Sequence, residues 1–252
     1  MNKEVDWTSN PVPKLREALA QYADKGYARF MRSGLPKEVE SPVMGVRVPI
    51  IKAIVKTIPR QDDEAFLRAI LTPKRRLPKN AKPDALEERI AVACVLGRFR
   101  TNLDLKAELL DAYMPYIDSW AVCDELCAFV KPRREEKDEF WDYLERACAS
   151  DAPYTVRFGL VETLKYYVER GWLARVLDRV ERVAQRDLDV RTVNMALAWF
   201  VCEIMAKFPN DAFKYLENNS LNNFSYNLAL SKIQDSLRVS DEIKEELKSM
   251  KR

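Results

Sequence analysis

Apolar residues recur along this chain at the three- and four-residue intervals of amphipathic helices. No segment shows the sustained alternation of apolar and polar residues that predicts a half-buried strand. The chain has six glycines and 13 prolines, and many of the prolines stand at breaks in the helical period. The pattern predicts helices over residues 14–32, 48–59, 62–71, 84–100, 104–117, 119–130, 135–149, 154–169, 172–186, 190–207, 210–217, 223–237 and 240–250.

The predicted helices come in pairs separated by short turns, with one pair in about 35 to 45 residues. That spacing is typical of HEAT-like and armadillo-like solenoids, in which each antiparallel helix pair buries its apolar face on the next pair. We therefore predict an all-α fold, an α-α superhelix that forms a single domain over residues 1–252, with a loosely ordered leader over residues 1–13. Ser33 to Pro49 and Thr72 to Pro83 are longer connections. The second is a basic loop, predicted to be mobile, where a domain boundary is the alternative.

Composition excludes several kinds of site. The chain has no histidine, and its five cysteines include no Cys-x-x-Cys pair, so a zinc site and His-based general acid or base catalysis are excluded. Cys123 and Cys127 share a helical face, where two buried thiols are expected rather than a disulfide. No segment is apolar over the roughly 18 residues of a spanning helix, and residues 1–13 lack a signal core. We expect a soluble, cytoplasmic, monomeric protein that uses no cofactor or metal.

Trp120 and Asp124 form the most informative pair in the chain. A spacing of four residues puts the indole and the carboxylate on one face of a helix, one turn apart. An anion beside an aromatic face suits a positively charged group, such as a sugar cation or an alkylated base. The alternative is that Trp120 is a core residue and Asp124 a local salt-bridge partner.

Basic residues cluster in two places, although the formal net charge is only +3. The helix after Gly171 carries four arginines at intervals of four, three and four residues, which predicts one stripe along the helix: Arg175, Arg179, Arg182 and Arg186. Such a stripe can follow phosphates, or it can be a solvated face that pairs with Asp178 and Glu181. A second cluster, diluted by Glu135 and Glu136, contains Lys131, Arg133, Arg134 and Lys137.

Arg157 and Trp199 each stand inside an apolar run. A long cation in such a place is costly unless it is paired, so Arg157 is predicted to meet an anion. Ordinary core packing is the alternative for either residue.

Several stretches of the chain resemble the DNA alkylation repair family of HEAT-like glycosylases, the AlkD-like family. They are Ser119-Trp120 to Asp124, Ser150-Asp151 to Arg157, Ala196-Leu197-Ala198-Trp199 through Lys207-Phe208-Pro209, and Met44-Gly45-Val46-Arg47-Val48-Pro49 with Lys52 and Lys56. The resemblance runs from about residue 20 to the C-terminus.

The resemblance implies a superhelix whose basic concave face grips double-stranded DNA. It also implies a monofunctional glycosylase that removes cationic N3- or N7-alkylpurines and leaves an abasic site. The catalytic residues carried over are Asp124, Trp120, Trp199 and Arg157. The residues that we expect to contact DNA are Arg47, Lys52, Lys56, Arg175, Arg179, Arg182, Arg186, Phe30 and Tyr27.

The N-terminal region departs from the family pattern. Members commonly place a tyrosine near the lesion, whereas the local match here puts Phe30 at that position, with Tyr27 one turn earlier. The segment from Ser33 to Pro42 is also longer than the family pattern. Two other functions therefore stand beside the glycosylase: a non-catalytic binder of damaged or branched DNA, and a protein–protein scaffold.

Overall fold

The computed structural model describes residues 6–71, 82–188 and 190–252. Within these ranges the chain forms fourteen α-helices and no strand, which confirms the all-α prediction. The helices are α1 (Pro11–Ala20), α2 (Lys25–Gly34), α3 (Val48–Lys56), α4 (Asp63–Leu71), α5 (Leu86–Arg98), α6 (Leu103–Tyr113), α7 (Trp120–Phe129), α8 (Lys137–Cys148), α9 (Pro153–Tyr166), α10 (Leu173–Gln185), α11 (Arg191–Lys207), α12 (Pro209–Glu217), α13 (Asn223–Asp235) and α14 (Asp241–Leu247).

The helix predicted over residues 14–32 is wrong, because the structure has two helices there, α1 and α2. The break is explained by Asp24, whose carboxylate accepts the backbone N–H groups of Gly26 and Tyr27 at 2.8 and 3.0 Å and so caps the start of α2. The other predicted helices agree with the structure to within a few residues. Those over 104–117 and 240–250 end in short 3₁₀ turns.

The chain divides into two compact units, Met1–Lys131 and Pro132–Arg252. The division falls between Lys131 and Pro132, not in the connection from Thr72 to Pro83 where the sequence suggested an alternative boundary. The mobile basic loop predicted in that connection lies mostly outside the described residues, which resume at residue 82. A single domain over the whole chain stays a prediction.

The N-terminal unit packs around α5. This helix contacts both α3 and α7, while α4 packs against α6. Alternate helices therefore lie side by side, as expected when successive helix pairs stack. One helix differs from the rest, because α2 has no buried residue.

Trp7 ties the segment before α1 to the N-terminal unit. Its side chain is buried, and its ring centroid lies 6.5 Å from that of Phe66 in α4. Pro11 and Val12 already belong to α1 and are buried. The leader predicted over residues 1–13 is therefore not loosely ordered from Trp7 onward.

The C-terminal unit repeats the same arrangement. Helices α9, α11 and α13 pack side by side, with α8 against α9 and α12 against α11. At Gly159 in α9, a Cβ atom would lie 2.7 Å from the Cys148 sulfur, so this pair of helices approaches closely only because the residue is glycine. Among the helices that the structure describes, none combines the length and apolarity needed to cross a membrane.

Candidate functional site

Trp120 and Asp124 both lie on the accessible side of α7. Ser119 caps this helix, and Trp120, which is 38% exposed, is its first residue. Asp124 is partly exposed one turn further along. The alternative that Trp120 is a core residue is therefore wrong, and the pair presents an indole and a carboxylate on one helix face.

The indole of Trp120 also joins two helices. Its Nε1–H donates a hydrogen bond to the carbonyl oxygen of Gly34, the last residue of α2, at 3.1 Å. The carbonyl groups at the end of a helix have no partner within the helix, so this bond caps α2. It fixes the plane of the indole beside Asp124.

An aromatic and cationic stack covers α2. The rings of Tyr27 and Phe30 stack with centroids 6.0 Å apart, and the guanidinium of Arg47 lies 4.2 Å above the Tyr27 ring. Phe30 is 69% exposed. Tyr27, Phe30 and Gly34 recur at intervals of three and four residues, so the stack and the cap made by Trp120 share one face of α2.

The segment Met44-Gly45-Val46 holds Arg47 in place through a buried carboxylate. Glu87 of α5 accepts the backbone N–H groups of Met44, Gly45 and Val46 at 3.0, 2.7 and 3.2 Å. The motif of this segment is visible in the sequence, but no local signal marks Glu87, a partner about 40 residues away.

Gly45 brings the same segment against α2. Its φ of +82° lies in the left-handed region, and an added Cβ atom would lie 2.7 Å from the backbone nitrogen of Ala28. Glycine is required here by both the conformation and the close approach.

The basic residues of the α3 region are exposed, as residues that contact DNA must be. Arg47 precedes α3, and Lys52 and Lys56 lie one turn apart on it. The Lys52 ammonium is 4.9 Å from the centre of the Phe129 ring, at the end of α7. This contact places a positive charge beside the helix that carries Asp124.

Arg157 and Trp199 belong to the C-terminal unit. Arg157 is buried in α9, and its Nη1 donates to the carbonyl oxygen of Thr192 in α11 at 2.8 Å. Trp199 is partly exposed on α11, seven residues after Thr192 and thus two turns further along the same face. Trp120 and Asp124 belong to the N-terminal unit, so a site formed by all four residues stays a prediction.

The prediction of four arginines along one exposed or phosphate-binding stripe is wrong for Arg179, which is buried in the core. Its guanidinium bonds to Glu145 at 2.7 and 2.9 Å, to the Thr163 hydroxyl at 2.6 Å and to the Trp141 carbonyl at 2.9 Å. It also lies 3.4 Å from the centre of the Trp141 ring. Arg179 therefore joins α10 to α8 and α9, and its donors are not available to DNA.

The other three arginines of the predicted stripe differ in exposure. Arg175 and Arg182 are exposed. Arg175 lies 3.6 Å from Asp138, and Arg182 pairs with Glu145 and lies 3.3 Å from Asp178. Arg186 is half-buried and donates to the carbonyl oxygens of Cys148 and Ser150, where it caps the end of α8. Contact of these three residues with DNA stays a prediction.

All five cysteines are free, and four of them are buried. Burial raises the pKa of Cys148 to about 12, so its thiol is not a nucleophile at neutral pH. Cys123 and Cys127 are the buried thiols that the sequence indicated. In the part of the chain that the structure describes, no cluster of three or more acidic or cysteine side chains is arranged to hold a metal ion.

Comparison with known proteins assigns the chain to a family. The family model for the DNA alkylation repair enzyme matches residues 15–233, a range that contains every candidate site residue. A search of curated proteins found no significant match. Because the family model covers most of the chain, this protein belongs to the DNA alkylation repair enzyme family.

Proposed function

We propose that this protein is a monofunctional DNA glycosylase that excises cationic N3- and N7-alkylpurines from double-stranded DNA and leaves an abasic site. The observation that carries the proposal is the carboxylate of Asp124, partly exposed one helical turn from the accessible indole of Trp120. Family membership supports DNA alkylation damage as the substrate class.

The chemistry suits a chain without histidine. A purine alkylated at N3 or N7 already carries a positive charge, so it leaves as a neutral base, taking the electron pair of the glycosidic bond, without a general acid. The sugar becomes an oxocarbenium ion, which the Asp124 carboxylate stabilises electrostatically. Water then adds to C1′ and loses a proton, with Asp124 positioned to orient it.

Trp120 supports Asp124 in this mechanism. Its indole plane is held by the hydrogen bond to Gly34, so the ring presents a fixed face to a cation and excludes water on one side. In the C-terminal unit, Trp199 is proposed to contact a nucleoside and Arg157 a phosphate. No lysine nucleophile is required, so the strand is not cut.

DNA contacts are proposed for the exposed cations and rings around α2 and α3. Arg47, Lys52 and Lys56 supply charge for phosphates, which bind without reading sequence. The Tyr27 and Phe30 stack offers an exposed π-face to a nucleotide distorted by damage. Arg175 and Arg182 are proposed to extend the phosphate contacts.

The direct test is release of 7-methylguanine and 3-methyladenine from methylated duplex DNA, measured in single turnover at saturating protein. We expect release by the wild type and loss of about 100-fold or more in rate for Asp124→Asn, because the carboxylate charge is removed with little change in shape. Glu125→Gln is the matched control, since it makes the same change at the next residue of α7. It should retain the wild-type rate.

Binding to the same DNA is measured in parallel. If the wild type binds methylated duplex but releases no base, the glycosylase proposal fails and the protein is a non-catalytic binder of damaged DNA. If neither binding nor release is seen, DNA is not the ligand and a protein–protein scaffold replaces both.

A further inference from the structure

A cleft of about 620 Å³ opens beside the start of α8, in the C-terminal unit. Three cations line it, Arg133, Arg134 and Lys137, together with two carboxylates, Asp138 and Glu169, and the indole of Trp172. This volume lies within the range of about 300 to 1,000 Å³ that small-molecule sites occupy. It is much larger than a single phosphate ion requires.

The ion pairs that the structure describes around the cleft involve other cations but not Arg134. Asp138 pairs with Arg175 at 3.6 Å, and Glu169 pairs with Lys137 at 2.5 Å. Arg133 pairs with Glu136 and lies 3.7 Å from Glu135. Among the residues that the structure describes, no acidic side chain lies within ion-pair distance of Arg134, so its guanidinium remains available to an anion.

Lys137 is held in position by more than its carboxylate partner. Its ammonium lies 5.2 Å from the centre of the Tyr167 ring and 5.7 Å from that of Trp172. The Glu169 side chain is 54% exposed, and pairs with so exposed a partner are weak. An ammonium has three N–H donors, so a second anion can bind to Lys137 without displacing the first.

The wall formed by Trp172 is rigid. Its ring packs edge to face on Tyr167 with centroids 4.8 Å apart, lies 5.0 Å from Trp141, and has the Arg175 guanidinium 4.4 Å above it. The cleft therefore combines fixed positive groups with an apolar edge. That combination fits a ligand with a doubly charged oxyanion at one end and a ring system at the other.

We propose that this cleft binds the 5′-phosphomonoester of a nucleotide, with the phosphate on Arg134 and Lys137 and the nucleoside against the edge of Trp172. This site goes beyond the excision proposed for Asp124. The same chemistry is present in a free nucleotide and at the phosphorylated end of a DNA strand, and the experiment separates these sources.

Calorimetric titration of the full chain with thymidine 5′-monophosphate tests the proposal, with thymidine and inorganic phosphate as comparisons. We expect binding of the nucleotide that is stronger than binding of either comparison ligand. Arg134→Glu should weaken nucleotide binding by about tenfold or more, since it replaces an attractive charge with a repulsive one. Arg146→Glu is the matched control, because Arg146 is exposed on α8, the helix that follows Arg134, but does not line the cleft.

The proposal is overturned if the wild type does not bind the nucleotide, if phosphate alone binds equally well, or if both arginine variants weaken binding alike. Oligonucleotides with a 5′-phosphate and a 5′-hydroxyl then identify the source. A preference for the phosphorylated strand that exceeds the affinity for free nucleotide assigns the strand end, and the reverse assigns the free nucleotide. Base release by Arg134→Glu at saturating protein should be unchanged, so a failure of one proposal is distinguishable from a failure of the other.

Discussion

The indole N–H of Trp120 caps α2 at the carbonyl oxygen of Gly34, 3.1 Å away, while the ring of Trp120 lies one turn from Asp124. One side chain therefore orients the proposed catalytic face of α7 and also holds the helix that carries the aromatic stack. Because α2 buries no residue of its own, contacts at its two ends carry much of its attachment. The position of Phe30 is thus linked to the position of Trp120.

Trp120→Phe should loosen the end of α2. The phenyl ring keeps an aromatic face but has no N–H, so the Gly34 carbonyl loses its partner, at a cost of about 1 kcal/mol. Hydrogen exchange should be faster in the last turn of α2 and unchanged in α4. Equal exchange rates in the wild type and Trp120→Phe would show that the indole does not hold α2.

Gly45→Ala should loosen the beginning of the same helix. An alanine at a φ of +82° is strained, and its Cβ atom would collide with the backbone of Asp24 and Ala28. We expect a lower melting temperature and faster amide exchange at Lys25 to Tyr27. Gly171→Ala is the control, because a Cβ atom there meets nothing within 4 Å, and it should melt like the wild type.

Arg179→Ala should lower the free energy of unfolding by about 3 kcal/mol, because a buried cation with four hydrogen bonds leaves polar partners unsatisfied. Urea denaturation measures this change. Arg175→Ala, at an exposed position of the same helix, should cost only about 1 kcal/mol, from its contact with Trp172, and act mainly on DNA affinity. A stable Arg179→Ala protein with weak DNA binding would restore the phosphate-binding interpretation of this residue.

Lys56→Ala should weaken DNA binding in a salt-dependent way. If its ammonium neutralises one phosphate, the slope of log affinity against log salt concentration falls in magnitude by about 1. Fluorescence anisotropy over a salt series measures the slope. Lys214→Ala, which changes an exposed lysine of α12, is the control. The same slope in both variants would show that Lys56 does not contact a phosphate.

The protein should become less stable in acid because the Glu203 carboxylate becomes protonated. The Arg238 guanidinium bonds to both oxygens of this carboxyl, at 3.0 and 2.6 Å, and holds its pKa below the usual 4.5. A carboxyl whose pKa is lower in the folded state stabilises the protein above its unfolded pKa, and this contribution is lost as the pH falls below 4.5 through the folded value. Unfolding free energies of the wild type and Glu203→Gln should therefore converge as the pH is lowered from 6. A constant difference would assign the effect to packing.

The sequence by itself determined the helices and identified the candidate site residues. Helical periodicity and prolines locate nearly every helix, because those signals are local and depend on spacing along the chain. The spacing of Trp120 and Asp124 already puts them on one helix face, and the absence of histidine already limits the chemistry. The periodicity predicts one helix where the structure has α1 and α2. Asp24 separates them, because its carboxylate caps the start of α2 by accepting two nearby N–H groups.

Only the tertiary structure decided which of these residues are accessible. Arg179 has the same helical spacing as Arg175 and Arg182, yet it is buried because Glu145, Thr163 and Trp141 converge on it from α8 and α9. Glu87 holds the segment before α3, and Trp120 caps α2, through contacts between residues distant in the chain. Burial and hydrogen bonding depend on which helices meet, and that is a property of the packed chain rather than of any local spacing.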